Sequence, residues 1–280
     1  MRTSMSRHAF VRIVICFAAL AAGVCLAAVP EPSGSKVAIQ SIEVELPQVL
    51  REVAGNGKLS PVTRALVDVA FPPGFDLKRP WPILVVNATS DPGFNASRTL
   101  MRRYADVATA AGWVIVAADA NRELVANQDN VKLRLALGSA ALAALQARWP
   151  EAANSELAFG GFSGGAKHSG WLAAAFVAQG RKVIGVFQAG INEETVAKAG
   201  KQFQVLDAGF KQMPVFLLGG RNDTMATPKA HRGVERRLQR AGFAHVRLDF
   251  IDGAHQIDPR PLATALAWFA AEAGLALPAR

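Results

Sequence analysis

Cysteine is almost absent from this sequence of 280 residues, and its scarcity excludes several kinds of site. The two cysteines, Cys16 and Cys25, both lie in an apolar N-terminal segment. If the chain is cleaved after Ala27 or Ala28, the mature protein contains no cysteine. It then has no disulfide, no thiol nucleophile and no cysteine-based zinc site, although an oxidising compartment remains compatible with it.

Metal-ligand and nucleotide-binding patterns are also lacking. No group of His, Asp and Glu residues has the spacing of metal ligands, so we predict neither a structural nor a catalytic metal. The glycine-rich residues 160–165 do not have the Gly-x-x-x-x-Gly-Lys-Ser/Thr spacing of a phosphate-binding loop. We therefore expect no cofactor.

Acidic residues are few, because 22 Asp and Glu stand against 31 Lys and Arg and give a net charge of +9. Three of the arginines, Arg2, Arg7 and Arg12, precede the apolar segment, and without them the net charge is +6. The other basic residues are spread along the chain, and their densest run, at residues 236–240, falls on a predicted surface helix. We interpret this run as a solvated face and predict no nucleic-acid partner.

The apolar N-terminal run, residues 13–26, is too short to span a bilayer comfortably. Basic residues precede it, small residues follow it, and a Pro/Ser-rich stretch comes next, which is the layout of a secretory signal peptide. We predict a signal peptide over residues 1–27, a linker over residues 28–36, and a periplasmic or secreted mature protein with no stable membrane insertion. A retained N-terminal membrane anchor is the alternative. Cys25 also suggests a lipoprotein, which Val24 disfavours because a lipobox has a small residue there.

Beyond the linker, two kinds of apolar segment alternate. Short runs indicate strands, and longer segments with helical spacing indicate helices. The expected strands cover residues 37–46, 62–71, 81–86, 113–118, 156–162, 183–187, 214–218 and 246–251, and the expected helices residues 98–111, 130–148, 167–179, 228–241 and 261–273. The alternation predicts one α/β domain over residues 37–280, with a mostly parallel central sheet, helices on both faces and an antiparallel N-terminal edge. Residues 188–213 are the only candidate for a small cap, of one or two short helices.

The pentapeptide Gly161-Phe162-Ser163-Gly164-Gly165, a G-x-S-x-G pattern, lies between an expected strand and an expected helix. A sharp turn there lifts Ser163 Oγ off the end of the sheet, as a nucleophile requires, with glycines where side chains would collide. The N–H of Gly164 can then point at a developing oxyanion. The structural alternative is a glycine-rich connection in which Ser163 only caps the helix.

Two more polar residues, Asp223 and His255, each follow a predicted strand, in the chain order of a serine hydrolase triad. The carboxyl ends of parallel strands meet at one edge of a sheet, so these residues and Ser163 are candidates for acid, base and nucleophile. Taken singly, Asp223 could close a turn and His255 could be a loop histidine. Asp252 is a rival for the acid, but a residue three before the histidine in the same loop rarely reaches its ring.

The remaining histidines are assigned no chemical role. His168, five residues after Ser163, is interpreted as a packing or surface residue. His231 and His245 are expected on exposed faces, and His8 lies in the leader.

Residues 63–273 resemble the α/β-hydrolase superfamily, and within it the small secreted bacterial esterases related to polyhydroxyalkanoate depolymerases and feruloyl esterases. The resemblance is carried by GFSGGAK around Ser163, VFLLGGRNDTM around Asp223, and FIDGAHQI followed by the ALAWF helix around His255. It implies an α/β-hydrolase fold, with Ser163 as the nucleophile, Asp223 as the triad acid, His255 as the base and Gly164 as one oxyanion donor.

The sequence departs from the superfamily at the second oxyanion donor. Members commonly carry His-Gly after the third strand, and the residue beyond this pair donates its N–H. Here the chain reads Asn87-Ala88-Thr89, so Thr89 is the expected donor by register, with Ser90 as the alternative. Loss of the glycine requires another loop conformation, and a weakened oxyanion hole would raise the barrier by about 3 kcal/mol.

The resemblance implies hydrolysis of a carboxylic ester through an acyl-enzyme, with a small-molecule or oligomeric ester as the substrate. Because there is little cap sequence, we expect an open cleft. A serine peptidase or an acyltransferase uses the same triad and is one alternative. The departure at Ala88 favours another, a non-catalytic or weakly active binding protein with the same fold.

Export is directly testable. Expressed with its leader in a bacterium, the protein should be recovered from the periplasm or the medium about 27 residues shorter, because signal peptidase removes the leader. N-terminal sequencing measures the cleavage point. A chain that still begins at Met1 and stays in the membrane fraction would support the anchor instead.

Overall fold

Strands and helices alternate along the chain in the order that the sequence predicts. The computed structural model describes residues 37–88, 96–124 and 129–277. Within these ranges the strands are β1 (Gln40–Glu45), β2 (Arg64–Ala70), β3 (Ile83–Asn87), β4 (Val114–Ala120), β5 (Leu157–Phe162), β6 (Val183–Ala189), β7 (Val215–Gly220) and β8 (Val246–Ile251). The α-helices are α1 (Gln48–Ala54), α2 (Ser97–Ala110), α3 (Val131–Arg148), α4 (Gly164–Ala178), α5 (Val196–Gln202), α6 (Ala208–Gln212), α7 (Pro228–Arg240) and α8 (Arg260–Glu272).

The strands form one 8-stranded sheet in the order β1-β2-β4-β3-β5-β6-β7-β8. Strand β2 is antiparallel to both β1 and β4, and every other neighbouring pair is parallel. The mostly parallel sheet with an antiparallel N-terminal edge is therefore confirmed. Since β3 to β8 run in one direction, their carboxyl ends lie along a single edge, where open α/β sheets bind ligands.

Helices cover both faces of the sheet, and each face has its own apolar core. Successive side chains of a strand point to opposite faces. Accordingly Ile83 and Val85 of β3 join the core beneath α3, α4 and α7, whereas Leu84 and Val86 join the core beneath α2 and α8. Burial of one such aliphatic side chain contributes roughly 1.5–3 kcal/mol. The unbroken apolar run of β3 is thus explained by a strand that is covered on both faces.

The sequence pattern misses two short elements, the helix α1 and a 3₁₀ helix at Pro150–Asn154. Helix α1 has 7 residues, about two turns, which is too short to show a helical period. It buries Leu50 and Ala54 and packs against α3. Tertiary contact therefore supplies the signal that local sequence does not.

Strands β6 and β7 each extend two residues past their predicted ends. Gln188 pairs with Leu217, and Gly219 pairs with Phe250. Gln188 and Gly219 interrupt the apolar pattern, so the predicted strands end before them although both residues belong to the sheet. The segment between β6 and β7 contains α5 and α6, the short helices expected of a small cap. Within the described ranges, no helix combines the length and apolarity that crossing a membrane requires.

Candidate active site

Ser163 lies at a sharp turn between β5 and α4. Its backbone has φ 55 and ψ −120, a left-handed conformation that is strained for a residue with a side chain. The Ser163 N–H donates to the carbonyl of Ala189 over 2.8 Å, which ties the turn to the end of β6. The Ser163 side chain makes no capping hydrogen bond to α4, so the interpretation of this residue as a simple helix cap is wrong.

Two glycines allow the turn to close. A Cβ at Gly165 would collide with the carbonyl oxygen of Asn87, and a Cβ at Gly161 would lie 2.6 Å from the same oxygen and collide with Gly165 itself. The expectation that side chains at Gly161 and Gly165 would collide is confirmed. The end of β3 therefore lies in backbone contact with the turn that carries Ser163.

Asp223 and His255 lie together at the ends of β7 and β8. His255 Nδ1 and Asp223 Oδ2 are 2.7 Å apart. Asp223 Oδ1 accepts the N–H groups of Met225 and Ala226, each over 2.8 Å, so both oxygens of the carboxylate are engaged. Burial raises the pKa of Asp223, but the bonds from His255, Ala226 and Met225 outweigh it and leave that pKa below its ordinary value. Asp223 is consequently charged at neutral pH.

The His255 ring lies beside the serine turn. Its centroid is 4.6 Å from that of Phe162, the residue before Ser163. A Cβ at Gly190 would lie 2.9 Å from His255 Cε1, which locates the ring at the ends of β5 and β6. His255 Nε2 is buried and has no hydrogen-bond partner in the described part of the chain. The structure thus joins Asp223 to His255 and places this pair next to the turn, without a hydrogen bond from His255 Nε2 to Ser163.

Asp252 lies away from this pair. Its side chain is 94% exposed and forms an ion pair with Arg221 Nε at 3.1 Å. The carboxylate that contacts His255 is that of Asp223.

Of the two expected oxyanion donors, only Gly164 lies among the described residues. Gly164 is the first residue of α4 and directly follows Ser163, so its N–H belongs to the N-terminal end of a 15-residue helix. Thr89 and its alternative Ser90 lie outside the described residues. The preceding N–H, that of Ala88, is already engaged, since it donates to Ser97 Oγ over 3.2 Å.

Of the two histidines that were expected on exposed faces, one is buried. His231 is fully buried on α7, where it shares a face with Val234 and Leu238, so the expectation of an exposed face is wrong. The spacing of these three residues is a signal that the sequence contains. Burial lowers the pKa of His231, although the nearby Asp223 carboxylate and backbone hydrogen bonds oppose this effect. His245 is partly exposed and lies 3.4 Å from a carboxylate oxygen of Glu272.

His168, expected to be a packing or surface residue, is partly buried close to the end of β3. Burial lowers its pKa to about 4, against opposing effects from the Asp129 charge and from a hydrogen bond to the backbone of Ala88. Its Nδ1 is buried without a partner among the residues that the structure describes. His168 is therefore neutral over the physiological pH range.

Ser97 and Arg134 are two residues near this place that no sequence motif indicates: Ser97 contacts Ala88, and Arg134 contacts Ser97. Both side chains are buried. The available signal is Arg134 itself, the only charged residue in the mostly apolar stretch 133–145. Among the described residues, no group of three or more His, Cys, Asp and Glu side chains is arranged to hold a metal ion.

The comparisons with known proteins identify the fold. No family model and no curated protein sequence matches the chain. Among solved structures, a lidless serine hydrolase of Xanthomonas campestris is 17% identical, with a TM-score of 0.55 over 89% of this chain and 100% of that one. A Pyrococcus furiosus esterase is 14% identical, with a TM-score of 0.52 over 86% and 98% of the two chains. A ferulic acid esterase is 12% identical, with a TM-score of 0.58 over 85% and 98%. The chain has the α/β-hydrolase fold.

The burial of His168 predicts a specific dependence of stability on pH. Unfolded, this ring titrates near its ordinary pKa of 6.5, whereas in the folded protein its pKa is about 4. Between these values only the unfolded state binds the proton, so the free energy of unfolding should fall as the pH falls from 6.5 to 4. The His168→Gln variant should lose this component, which amounts to about 3 kcal/mol at most.

Urea denaturation of the native protein and of His168→Gln, at several pH values between 7 and 4, measures the effect. The stability of the native protein relative to the variant should decrease on acidification. Parallel curves over this range would show that the ring is not buried in the folded state.

Proposed function

We propose that the protein is a serine hydrolase that cleaves a carboxylic ester through an acyl-enzyme. The observation that carries this proposal is the Asp223–His255 pair, bonded over 2.7 Å and packed on Phe162, directly before Ser163. The strained backbone of Ser163 adds support, because such strain is found where a nucleophile must project from a sheet edge. The esterases among its structural neighbours are consistent with the same chemistry.

In the proposed reaction, Ser163 Oγ attacks the ester carbonyl while His255 Nε2 takes the hydroxyl proton. The carbonyl oxygen becomes an oxyanion, which the N–H of Gly164 and, by the sequence register, that of Thr89 would stabilise. His255 then gives its proton to the leaving alcohol as the carbon–oxygen bond breaks, which leaves an acyl group on Ser163. Water repeats the cycle with His255 as the base and releases the acid.

Asp223 has two functions in this scheme. Oδ2 accepts from Nδ1–H of His255, which holds the ring in the tautomer that presents a free Nε2 and stabilises the imidazolium that forms. Oδ1 is held by the N–H groups of Met225 and Ala226, so the carboxylate cannot rotate away from the ring without losing both bonds. Since the side chain of Asp223 is 1% exposed, water does not compete for these contacts.

An open cleft is part of the proposal. The segment between β6 and β7 contributes only the 7-residue helix α5 and the 5-residue helix α6 to a cap. The Xanthomonas campestris hydrolase that resembles this chain is described as having no lid. We propose an exposed ester, small or oligomeric, as the substrate, met outside the cytoplasm if the predicted leader directs export.

A non-catalytic binding protein is the second candidate. It is favoured by Ala88, which stands where the superfamily commonly has glycine, and by His255 Nε2, which has no partner within the described ranges. A fluorophosphonate probe separates the candidates, because only an activated serine is phosphonylated. Labelling at Ser163 supports the hydrolase, and a chain that stays unlabelled supports the binding protein.

Replacing the nucleophile tests the mechanism. Ser163→Ala should lower kcat for p-nitrophenyl esters by roughly 10⁴- to 10⁶-fold, the range that triad substitutions cause in serine hydrolases. The melting temperature should change little, because the Ser163 side chain caps nothing in α4. Residual activity above a few per cent of the native value would contradict the proposed nucleophile.

A pair of aspartate variants tests the assignment of the acid. Asp223→Asn should lower kcat about 10⁴-fold, because the amide holds the wrong His255 tautomer. Asp252→Asn is the matched control. Its exposed side chain contacts only Arg221 among the described residues, so kcat should change less than about tenfold. Steady-state kinetics measures both variants, with thermal melts as the folding control. A larger loss in Asp252→Asn would move the acid to that residue.

A further inference from the structure

Arg134 of α3 is a buried cation outside the proposed triad, with a side chain that is 2% exposed. Its guanidinium donates two hydrogen bonds to Asp129, from Nε to Oδ1 over 2.7 Å and from Nη2 to Oδ2 over 2.6 Å. Its third nitrogen, Nη1, donates to Ser97 Oγ over 2.6 Å, to Asp119 Oδ1 over 3.0 Å and to the carbonyl of Ala118 over 3.2 Å. The guanidinium is thus held from two sides and directs one nitrogen at a serine hydroxyl.

Ser97, the first residue of α2, connects Arg134 to the backbone of Ala88. It is fully buried, and its N–H donates to Asp119 Oδ1 over 2.8 Å. Its Oγ receives Arg134 Nη1 and also the backbone N–H of Ala88 over 3.2 Å. A hydroxyl oxygen has two lone pairs, and these two donors fill both. Arg134 therefore holds the hydroxyl that accepts the Ala88 N–H.

Ala88 is the residue after β3, and it lies against the serine turn. A Cβ at Gly165 would collide with the carbonyl oxygen of Asn87 and lie 2.6 Å from the carbonyl carbon of Ala88. Gly165 is two residues after Ser163, and Gly164 between them is the proposed oxyanion donor. A continuous line of contacts therefore runs from Arg134 through Ser97 and Ala88 to the turn.

We propose that Ser97 and Arg134 are positioning residues for the reaction at Ser163. They hold the backbone of Ala88 against the turn, and so fix where the N–H of Gly164, the described oxyanion donor, points. The inference rests on the proposed function, since it concerns the same serine. It also accounts for the departure at Ala88: superfamily members have a flexible glycine at this place, and here a buried hydroxyl bond holds the backbone.

The chemistry of the cluster favours positioning over stability alone. Burying charged groups carries a large desolvation cost, and apolar side chains of similar volume often stabilise a fold as well or better. What a forked guanidinium adds is direction, because its donors are planar and fixed relative to one another. Here one of those donors points at Ser97 Oγ, which in turn accepts the backbone N–H of Ala88.

Ser97→Ala is the direct test, and Ser139→Ala is its matched control. Ser139 is also a buried serine, on the same helix as Arg134, but its Oγ has no partner among the described residues. Ser97→Ala should lower kcat for a p-nitrophenyl ester by about 10- to 100-fold with KM within about threefold, because small displacements at a reacting centre act mainly on the transition state. Ser139→Ala should match the native protein.

A second readout separates positioning from general damage. A trifluoromethyl ketone adds to an active serine and gives an adduct with a negatively charged oxygen, whereas the carboxylic acid product forms no such adduct. In Ser97→Ala the inhibition constant of the ketone should rise about as much as kcat falls, while that of the product acid stays unchanged. A merely structural role would weaken both inhibitors together or neither.

The inference is overturned if folded Ser97→Ala equals Ser139→Ala in kcat and in ketone inhibition. If Ser97→Ala does not fold, Arg134→Lys replaces it, since a lysine keeps a cation beside Asp119 and Asp129 but cannot supply the fork and the bond to Ser97 together. Native kcat in folded Arg134→Lys also overturns the inference. A native protein that neither hydrolyses esters nor reacts with fluorophosphonate removes the proposed function, and this inference with it.

Discussion

The close approach of three backbone segments at the end of β5 is the constraint on which the site depends. The end of β3, the end of β5 and the first turn of α4 meet with no side chain between them, because Gly161 and Gly165 supply none. The pairing of Asn87 with Gly161 in the sheet aligns the two strands, and the buried Leu172 and Phe176 anchor the helix in the core. A strained residue such as Ser163 persists only where its surroundings over-determine it, and this junction does so.

At the end of β7, one carboxylate contributes both to the fold and to the proposed chemistry. Asp223 closes the turn that leads to α7 through one oxygen and orients His255 through the other. The sheet brings Asp223 and His255 together, because these residues follow β7 and β8, which are paired along their whole length. The same proximity brings the buried His231 of α7 close to the acid.

Much of this arrangement can be predicted from the sequence, because it depends on local patterns. Each local pattern predicts the structure around it. Examples are the apolar run of β3, the glycines around Ser163 and the polar residues after β7 and β8. What the sequence does not reveal depends on contacts between distant segments. The 7-residue α1 has no period of its own, and Ser97 meets Arg134 across 37 positions of chain. The burial of His231 is not predicted for a different reason: its helix is rich in charge, and three buried positions among thirteen residues are a weak signal.

The cation at Arg134 belongs to a longer alternating series of charges. Arg102 contacts Asp68, Arg98 contacts both Asp68 and Asp119, and Arg134 contacts both Asp119 and Asp129. Three positive and three negative side chains thus run from the antiparallel edge to the end of β3. Water solvates ions less favourably as the temperature rises, so the cost of keeping such a series out of water diminishes on warming. The charged series should therefore not be the first part of the site to give way on heating, and thermal inactivation should coincide with global melting instead of preceding it.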